Sequence, residues 1–216
     1  MILQLEREKV VKYLNLLVQK GLTKGTGGNI SIYNREKNLV AISPSSVPYD
    51  ILTPYDIMVV DLEGKVIDGN PDYKPSSETE MHLSAYRERK DFGAFIHTHA
   101  MNCTAIACLR EPLRAVDYMI AITGTNEVKC AEYATFGTPE LAKNATEAIR
   151  GAKACLLANH GVNVGAEDIE NAFAITEYVE FCAELYVKAK SIGEPVILPK
   201  DEIDRHIEKF GSYCKL

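Results

Sequence analysis

The sequence lacks long apolar runs, clustered positive charge and paired cysteines, and each absence excludes a class of protein. No apolar run approaches the roughly 20 residues that a bilayer-spanning helix needs. The opening stretch, MILQLEREKVVKYL, carries acidic and basic side chains where a signal peptide needs an uninterrupted apolar region. We therefore expect a cytoplasmic protein with no membrane partner.

Positive charge is present but never concentrated. The formal net charge is −6, and no block of lysines or arginines interrupts the acidic balance. A nucleic acid or an acidic membrane would therefore find no basic patch to bind. Small molecules and other proteins remain as partners.

The cysteines show no metal-binding or redox spacing. The chain has six of them, at positions 103, 108, 130, 155, 182 and 214, and no Cys-x-x-Cys pair occurs. Most lie in apolar stretches, so we predict buried free thiols.

The pattern of apolar residues predicts one α/β domain over residues 1–216. Of the 216 residues 46% are hydrophobic, and no linker rich in proline, glycine or serine divides them. Helical spacing predicts helices at 6–19, 78–89, 139–150 and 169–192. Short apolar runs predict strands at NISIY, LVAIS, IMVVD, AFIH and ACLLA. The predicted architecture is a largely antiparallel central sheet covered by helices.

Three of the five histidines stand at the ends of predicted strands. His97 and His99 are two residues apart, so on an extended strand their side chains point to the same face. His160 closes a second apolar run. A single histidine at a strand end is usually a surface or hydrogen-bonding residue, but three of them can hold a metal and leave a coordination position open. His82 and His206 lie in polar helical stretches, and we assign them no role.

A second candidate cluster is PSSE, in which Ser76, Ser77 and Glu78 open a predicted helix. Serines there usually cap the helix. The same hydroxyls, together with the N–H groups of the first turn, also suit a phosphate. The two roles are compatible.

A glycine-rich turn, KGTGGNISI, supplies Thr26 and Asn29, and SPSS supplies Ser45 and Ser46 near the next strand end. Most glycine-rich turns are only turns, and this one matches neither the P-loop nor the dinucleotide fingerprint. If it binds phosphate, backbone N–H groups and these side chains do so.

Seven motifs in order, GTGGNIS, SPSSVPYD, PSSE, HTH, DYMIA, YATFGT and NHG, resemble the class II aldolase and adducin family. Within the family the resemblance is greatest to the L-fuculose-1-phosphate aldolases, over nearly the whole chain. It implies a three-layer fold and a metal-dependent lyase that reversibly cleaves a ketose 1-phosphate. L-fuculose 1-phosphate is the expected substrate, and dihydroxyacetone phosphate and L-lactaldehyde are the expected products.

The resemblance also implies a role for individual residues. It implies one zinc ion per subunit on His97, His99 and His160, with Glu78 as the fourth ligand and the acid/base. The implied phosphate set is Thr26, Asn29, Ser45, Ser46, Ser76 and Ser77. Tyr118 and Tyr213 match tyrosines that complete the site of an adjacent subunit, in a homotetramer with its sites between subunits. Phe136 is a candidate for the aldehyde pocket, and manganese or cobalt remains an alternative to zinc.

Two positions depart from the fuculose-phosphate aldolase pattern. Thr79 stands where that pattern has tryptophan, and Asp117 where it has histidine. Because phosphopentose 4-epimerases of the superfamily have a catalytic aspartate near the second position, an epimerase remains an alternative, as does a sugar-phosphate dehydratase. Those epimerases carry aspartate in place of Glu78, which favours the aldolase. A non-catalytic structural module of the adducin type is a further alternative, but such a module would not need to keep the metal ligands. Because His97, His99, His160 and Glu78 are all present, the sequence favours the enzyme.

Overall fold

Six helices and ten strands make up residues 1–213, the part of the chain that the computed structural model describes. The helices are Gln4–Gln19 (α1), Thr79–Glu88 (α2), Met101–Ala107 (α3), Pro139–Ala148 (α4), Ile169–Ile192 (α5) and Lys200–Tyr213 (α6). The strands are Asn29–Asn34 (β1), Leu39–Ile42 (β2), Met58–Val60 (β3), Val66–Asp68 (β4), Ala94–Thr98 (β5), Leu113–Arg114 (β6), Glu127–Val128 (β7), Cys130–Ala131 (β8), Ala154–Leu157 (β9) and Gly161–Ala166 (β10). Short 3-10 helices occupy Tyr49–Ile51, Pro54–Asp56 and Tyr118–Thr123.

One eight-stranded sheet runs through the described part of the molecule in the order β4–β3–β2–β1–β5–β10–β9–β8. Its neighbouring strands are antiparallel except for β8 and β9, which are parallel. Strands β6 and β7 form a separate antiparallel pair. The prediction of a largely antiparallel central sheet is therefore confirmed.

The sheet is buried on both faces because its central strands are apolar at consecutive positions. In β5, Ile96 joins a hydrophobic cluster with Leu14 of α1, and α3 and α5 contribute to the same cluster. Phe95, one residue earlier, points to the opposite face and joins a second cluster with Leu83 of α2 and Leu141 of α4. Helices thus cover both faces, which gives the predicted three layers.

Two of the helices, α4 and α5, start at side chains that accept from the first free N–H groups. The Asp168 carboxylate accepts from Asn171 N and begins α5, and the Thr138 hydroxyl accepts from Leu141 N ahead of Pro139 in α4. These two helices begin where the sequence predicts, and α5 also ends there. Within residues 1–213, no helix combines the length and the apolar character needed to cross a membrane.

The cysteines in the described residues are all free thiols. Cys103, Cys155 and Cys182 are buried, as predicted, whereas Cys130 is half-buried and Cys108 is exposed. The prediction of buried thiols was therefore wrong for Cys108, which follows α3 at the surface. Cys214 lies outside the described residues.

Gly165 generates a test of the packing between β10 and its neighbours. A Cβ at this position would lie 2.2 Å from Cε2 of Phe92, whose ring is fully buried. We expect Gly165→Ala to lower the free energy of unfolding by about 1–3 kcal/mol, because the ring or the strand must move. Gly211 in α6 faces open space, so Gly211→Ala should instead stabilise by up to about 1 kcal/mol. Urea denaturation followed by circular dichroism measures the free energy of unfolding of both variants. Equal values for Gly165→Ala and Gly211→Ala would contradict the tight contact between Gly165 and Phe92.

Candidate active site

Three polar side chains form a row across the three central strands. The register pairs Asn29 of β1 with His97 of β5, and His97 with Asn163 of β10. Asn163 Oδ1 lies 2.9 Å from Nδ1 of His97, and its Nδ2 lies 3.2 Å from Sδ of Met81. Because Asn163 Oδ1 can only accept, Nδ1 of His97 carries the hydrogen, and Nε2 keeps a lone pair for a ligand.

His99 and His160 converge on that lone pair. His97 Nε2 and His99 Nε2 are 3.1 Å apart. The ring centre of His160 lies 4.7 Å from that of His97 and 5.1 Å from that of His99. One nitrogen from each ring falls within 4.8 Å of the other two. The three strand-end histidines therefore meet at one point, as their spacing predicts.

A tight turn between β9 and β10 places His160. Asn159 has a φ of 52°, a left-handed conformation that asparagine adopts more readily than most residues. Gly161, which follows His160, lies so close to β5 that a Cβ would be 2.4 Å from the carbonyl oxygen of Thr98. This close approach brings the turn, and His160 with it, over the ends of the central strands.

Glu78 lies against these rings from the N-terminus of α2, where it is the N-cap residue. Its side chain is 7% exposed, with Oε2 3.3 Å from Nε2 of His97 and Oε1 3.6 Å from Nε2 of His160. Asn29 Nδ2 donates to Oε2 at 2.9 Å. Oε1 is buried and has no hydrogen-bond partner among the described residues.

Burial controls the protonation of the histidine cluster. Desolvation lowers the pKa of His97 to about 4 and also lowers the pKa of His99, so both rings are neutral near pH 7. For Glu78 burial raises the pKa, but the interaction with His97 and the hydrogen bond from Asn29 bring it below its usual value. Neutral imidazoles beside an ionised carboxylate are the protonation states that metal ligation requires.

The donor set fits a divalent metal ion. Three imidazole nitrogens and a carboxylate are ligands of catalytic zinc sites. Oε1 of Glu78 is a buried acceptor without a donor, an arrangement that is costly unless a positive charge lies nearby. The structure therefore brings together His97, His99, His160 and Glu78 as the sequence predicts, in an arrangement that suits a cation.

A pocket of about 350 Å³ opens beside this cluster. It is lined by Thr26, Gly27, Gly28, Asn29, Pro44, Ser45, Ser46, Ser76, Ser77, Glu78, His99, Tyr133, Ala134, Phe136, Asn159 and His160. Every residue of the predicted phosphate set belongs to this lining. Among the described residues, no lysine or arginine lines it, so an anion in this pocket would be held by neutral donors.

A short backbone bridge brings the two serine pairs together. Pro44 pairs with Pro75, and Ser76 N donates to Ser43 O at 3.0 Å, which fixes one loop against the other. Ser76 is buried, and its Oγ accepts from Glu78 N at 3.2 Å, so it serves the helix start. The aliphatic hydroxyls left at the pocket surface are those of Thr26, Ser45, Ser46 and Ser77, and the exposed Tyr133 adds a phenol hydroxyl.

Tyr118 does not line the pocket of its own chain. Tyr118 begins a 3-10 helix, is 45% exposed, and stacks on His206 with ring centres 4.9 Å apart. Asp117 caps the same 3-10 helix through a 2.8 Å hydrogen bond from Met119 N. Tyr213 ends α6, and its side chain lies outside the described part of the structure.

The sequence analysis missed the residues that orient the cluster. His82, to which we assigned no role, is fully buried, and its Nε2 is hydrogen-bonded to Oδ1 of Asn29. Asn163 orients His97, as described above. A signal for His82 was present, because Glu78, His82 and Tyr86 recur every four residues on one face of α2. The apolar pattern used to find helices ignores such a polar stripe.

Comparisons with a family model, with curated proteins and with solved structures all indicate the same family. Residues 8–187 match the family model described as Class II Aldolase and Adducin N-terminal domain. A 5-deoxy-D-ribulose 1-phosphate aldolase from Bacillus thuringiensis serovar kurstaki is 51% identical over 213 residues, covering 99% of both chains. A 5-methylthioribulose-1-phosphate/5-deoxyribulose-1-phosphate aldolase from Rhodospirillum rubrum is 43% identical, covering 89% of this chain and 85% of its own. A solved L-fuculose 1-phosphate aldolase superposes with a TM-score of 0.92 at 49% identity, covering 95% of this chain and 96% of its own.

Metal binding is the first property to test. We expect the chelator-treated protein to bind one Co²⁺ per chain with a visible spectrum of low coordination number, and added Zn²⁺ to displace it. His97→Ala should lose this stoichiometric binding, since it removes the buried central ligand. His206→Ala is the matched control, because His206 lies on α6 and pairs with Glu202 at 3.2 Å. A His97→Ala protein that still binds one equivalent would remove His97 from the ligand set.

Proposed function

This chain belongs to the class II aldolase and adducin family, as a carbon–carbon lyase that depends on a metal, and we propose that its substrate is a 5-deoxyketose 1-phosphate. One observation carries the proposal: one pocket joins the histidine cluster, a carboxylate oxygen without a hydrogen-bond partner in the described residues, and a group of exposed hydroxyls. Its substrate on this proposal is 5-deoxy-D-ribulose 1-phosphate, the compound in the name of the relative that is 51% identical. Cleavage of C3–C4 would release dihydroxyacetone phosphate and acetaldehyde.

The phosphate binds among the surface hydroxyls at the serine loops. Thr26, Ser45, Ser46 and Ser77 line this part of the pocket, and the N-terminus of α2 adds the positive end of a helix dipole. Neutral donors hold the phosphate without a fixed positive charge. The phosphorylated product can therefore leave the pocket after cleavage. Asn29 and Ser76, which belong to the predicted phosphate set, have side chains already engaged with Glu78.

Zinc is the proposed metal, held by His97, His99 and His160 with Glu78 completing the set before substrate binds. Three neutral imidazoles leave the full double charge on the ion. A divalent ion at this position, when bound, polarises a carbonyl as a Lewis acid. This charge is needed because the bond electrons of C3–C4 pass to C3 and delocalise onto the C2 carbonyl.

Glu78 is the proposed acid/base. During cleavage its carboxyl group, which takes up a proton from solvent as the substrate binds, gives that proton to C3, and in the synthetic direction its carboxylate removes a proton from C3. The position supports this role, since Glu78 lines the pocket while Asn29 holds only one of its two oxygens. The other oxygen, Oε1, is the one without a hydrogen-bond partner in the described residues.

The aldehyde end of the substrate faces an apolar wall. Tyr133, Ala134 and Phe136 line one side of the pocket, and Phe136 is 66% exposed. Such a wall favours the methyl group of a deoxy sugar. L-fuculose 1-phosphate is a second candidate, supported by the 0.92 TM-score to the solved aldolase of that name. It would release L-lactaldehyde, which also ends in a methyl group.

Tyr118 acts, on this proposal, in the pocket of another copy of the chain. It lies outside its own pocket and is partly exposed, and family resemblance suggests a homotetramer in which such a tyrosine crosses to the neighbour. There its hydroxyl relays the proton of the C4 hydroxyl to solvent as the aldehyde forms. Tyr213 is proposed for the same shared site from resemblance alone.

Substrate choice can be measured directly. Metal-loaded protein should release dihydroxyacetone phosphate from 5-deoxy-D-ribulose 1-phosphate with a kcat/KM on the order of 10-fold above that for L-fuculose 1-phosphate, since an extra hydroxyl meets an apolar wall. Glycerol-3-phosphate dehydrogenase and NADH report the product, and a chelated sample gives the blank. Release from neither substrate by metal-loaded protein would reject the proposal. A test with L-ribulose 5-phosphate would then address the epimerase suggested by Asp117.

Glu78→Gln tests the acid/base role. The amide keeps the shape of the side chain and cannot carry the proton, so we expect kcat to fall by roughly two to four orders of magnitude. Metal content should stay near one ion per chain. Glu80→Gln is the matched control on the same helix, because Glu80 is 44% exposed and pairs with Arg87. Near-normal turnover by Glu78→Gln would exclude Glu78 as the proton carrier.

A further inference from the structure

A row of buried polar side chains lies beneath Glu78, and the proposed catalytic steps use none of its inner members. The row consists of Asn29, His82, Ser31 and Tyr86. His82, Ser31 and Tyr86 are 0% exposed and do not line the pocket. Because uncompensated burial of polar groups is costly, a continuous hydrogen-bonded row of this kind requires an explanation.

The row forms because the distance between successive polar side chains is nearly the same along α2 and along β1. Glu78, His82 and Tyr86 are spaced by four residues along α2, which corresponds to a rise of about 6 Å per step. Asn29 and Ser31 are spaced by two residues along β1, a step of about 6.7 Å on one face of the strand. The helix and the strand therefore interdigitate. His82 reaches both Asn29 and Ser31, and Tyr86 reaches Ser31.

The carboxylate at one end fixes the direction of every hydrogen bond that follows. Oε2 of Glu78 can only accept, so Asn29 presents Nδ2 to it at 2.9 Å and turns Oδ1 towards Nε2 of His82. Nε2 of His82 must then carry the hydrogen. Nδ1 of the neutral ring accepts from Ser31 Oγ, 2.7 Å away.

The inner end of the row is anchored in the protein core. The Tyr86 hydroxyl lies 2.7 Å from Ser31 Oγ and 2.9 Å from Ser31 O. The edge of Phe95 packs on the His82 ring, with centres 4.9 Å apart. Complete burial lowers the pKa of His82 to about 3, which keeps the ring neutral. His82 is therefore rigidly held as a donor with one fixed tautomer.

We propose that His82 is a positioning residue for the acid/base step, acting through Asn29 to hold Oε2 of Glu78 and leave Oε1 free for the proton. This inference rests on the proposed function, because it concerns the carboxylate assigned to proton transfer there. Without His82, the Asn29 side chain has no partner for Oδ1, and its amide can rotate away from Glu78. Loss of comparable supporting partners behind functional ligands typically costs about 10–100-fold in activity.

The test isolates proton transfer from aldehyde chemistry. Metal-loaded protein is incubated in D₂O with dihydroxyacetone phosphate alone, and proton NMR follows deuterium entry at the hydroxymethyl carbon. In this exchange, the C–H proton passes to Glu78, its bond electrons pass to the C2 carbonyl, and a deuteron returns to the same carbon. The rate is compared in wild type, His82→Leu, His82→Gln and Tyr86→Phe, with metal content and melting temperature recorded for each.

We expect His82→Leu to slow exchange about 10–100-fold while its KM for dihydroxyacetone phosphate changes by less than about threefold, because only the proton-transfer group is displaced. His82→Gln should recover most of the rate, since its amide N–H can still donate to Asn29. Tyr86→Phe should exchange at close to the wild-type rate, because Ser31 keeps its bond to His82. Exchange by His82→Leu at the wild-type rate, or failure of glutamine to recover it, would overturn the inference.

A measurement on the metal-free protein does not depend on activity. ¹⁵N NMR of histidine-labelled wild type, assigned by comparison with His82→Gln, should show the neutral His82 ring with the hydrogen on Nε2. A hydrogen on Nδ1 would overturn the proposed direction of the row, even if His82→Leu failed to fold. If wild type shows no exchange at all, the proposed function fails and the inference falls with it. Exchange in wild type with no effect of His82→Leu rejects the inference alone.

Discussion

The antiparallel register of β1, β5 and β10 is the constraint on which the site depends. It aligns Asn29, His97 and Asn163 in one row, so that one asparagine contacts Glu78 and the other orients the imidazole. Because side chains alternate between faces, a slip of one residue would turn these groups to the opposite face. Dense apolar packing on both faces of the sheet opposes that slip. The hydrophobic core therefore determines the geometry of the polar site.

The polar cluster at these strand ends is electrostatically costly. Glu78 is buried next to His97, and its Oε1 has no hydrogen-bond partner among the described side chains. The hydrogen bond from Asn29 offsets part of the desolvation of the carboxylate. A cation among three imidazoles would offset the remainder, so bound metal and folded structure should stabilise each other. The same burial that makes the cluster costly keeps the rings of His97 and His99 neutral and ready to ligate.

Sequence patterns predicted the parts of the fold that arise from local periodicity. The 24-residue helix α5 follows its apolar spacing from first residue to last, and the convergence of His97 and His99 follows from strand alternation. The seven-residue helix α3 and strand β10 were not predicted, because α3 is short and β10 contains two glycines among its six residues. His82 was missed for a different reason. Its importance comes from contacts with β1, about 50 residues away in the chain, and only the tertiary fold brings these together.

Chemistry and specificity come from different parts of this architecture. The proposed metal ligands and the proposed acid/base Glu78 stand at the ends of strands and of a helix that the core holds rigidly, whereas Tyr133 and Phe136 stand on the segment between β8 and α4 and are half exposed or more. Changes in that segment can alter the proposed aldehyde wall without disturbing the register of the central strands. On this proposal, related chains can share one proton-transfer site while accepting ketose phosphates with different tails, in line with the different substrates in the names of the relatives. Because the row behind Glu78 belongs to the rigid part, the positioning of its carboxylate should be independent of which aldehyde the enzyme releases.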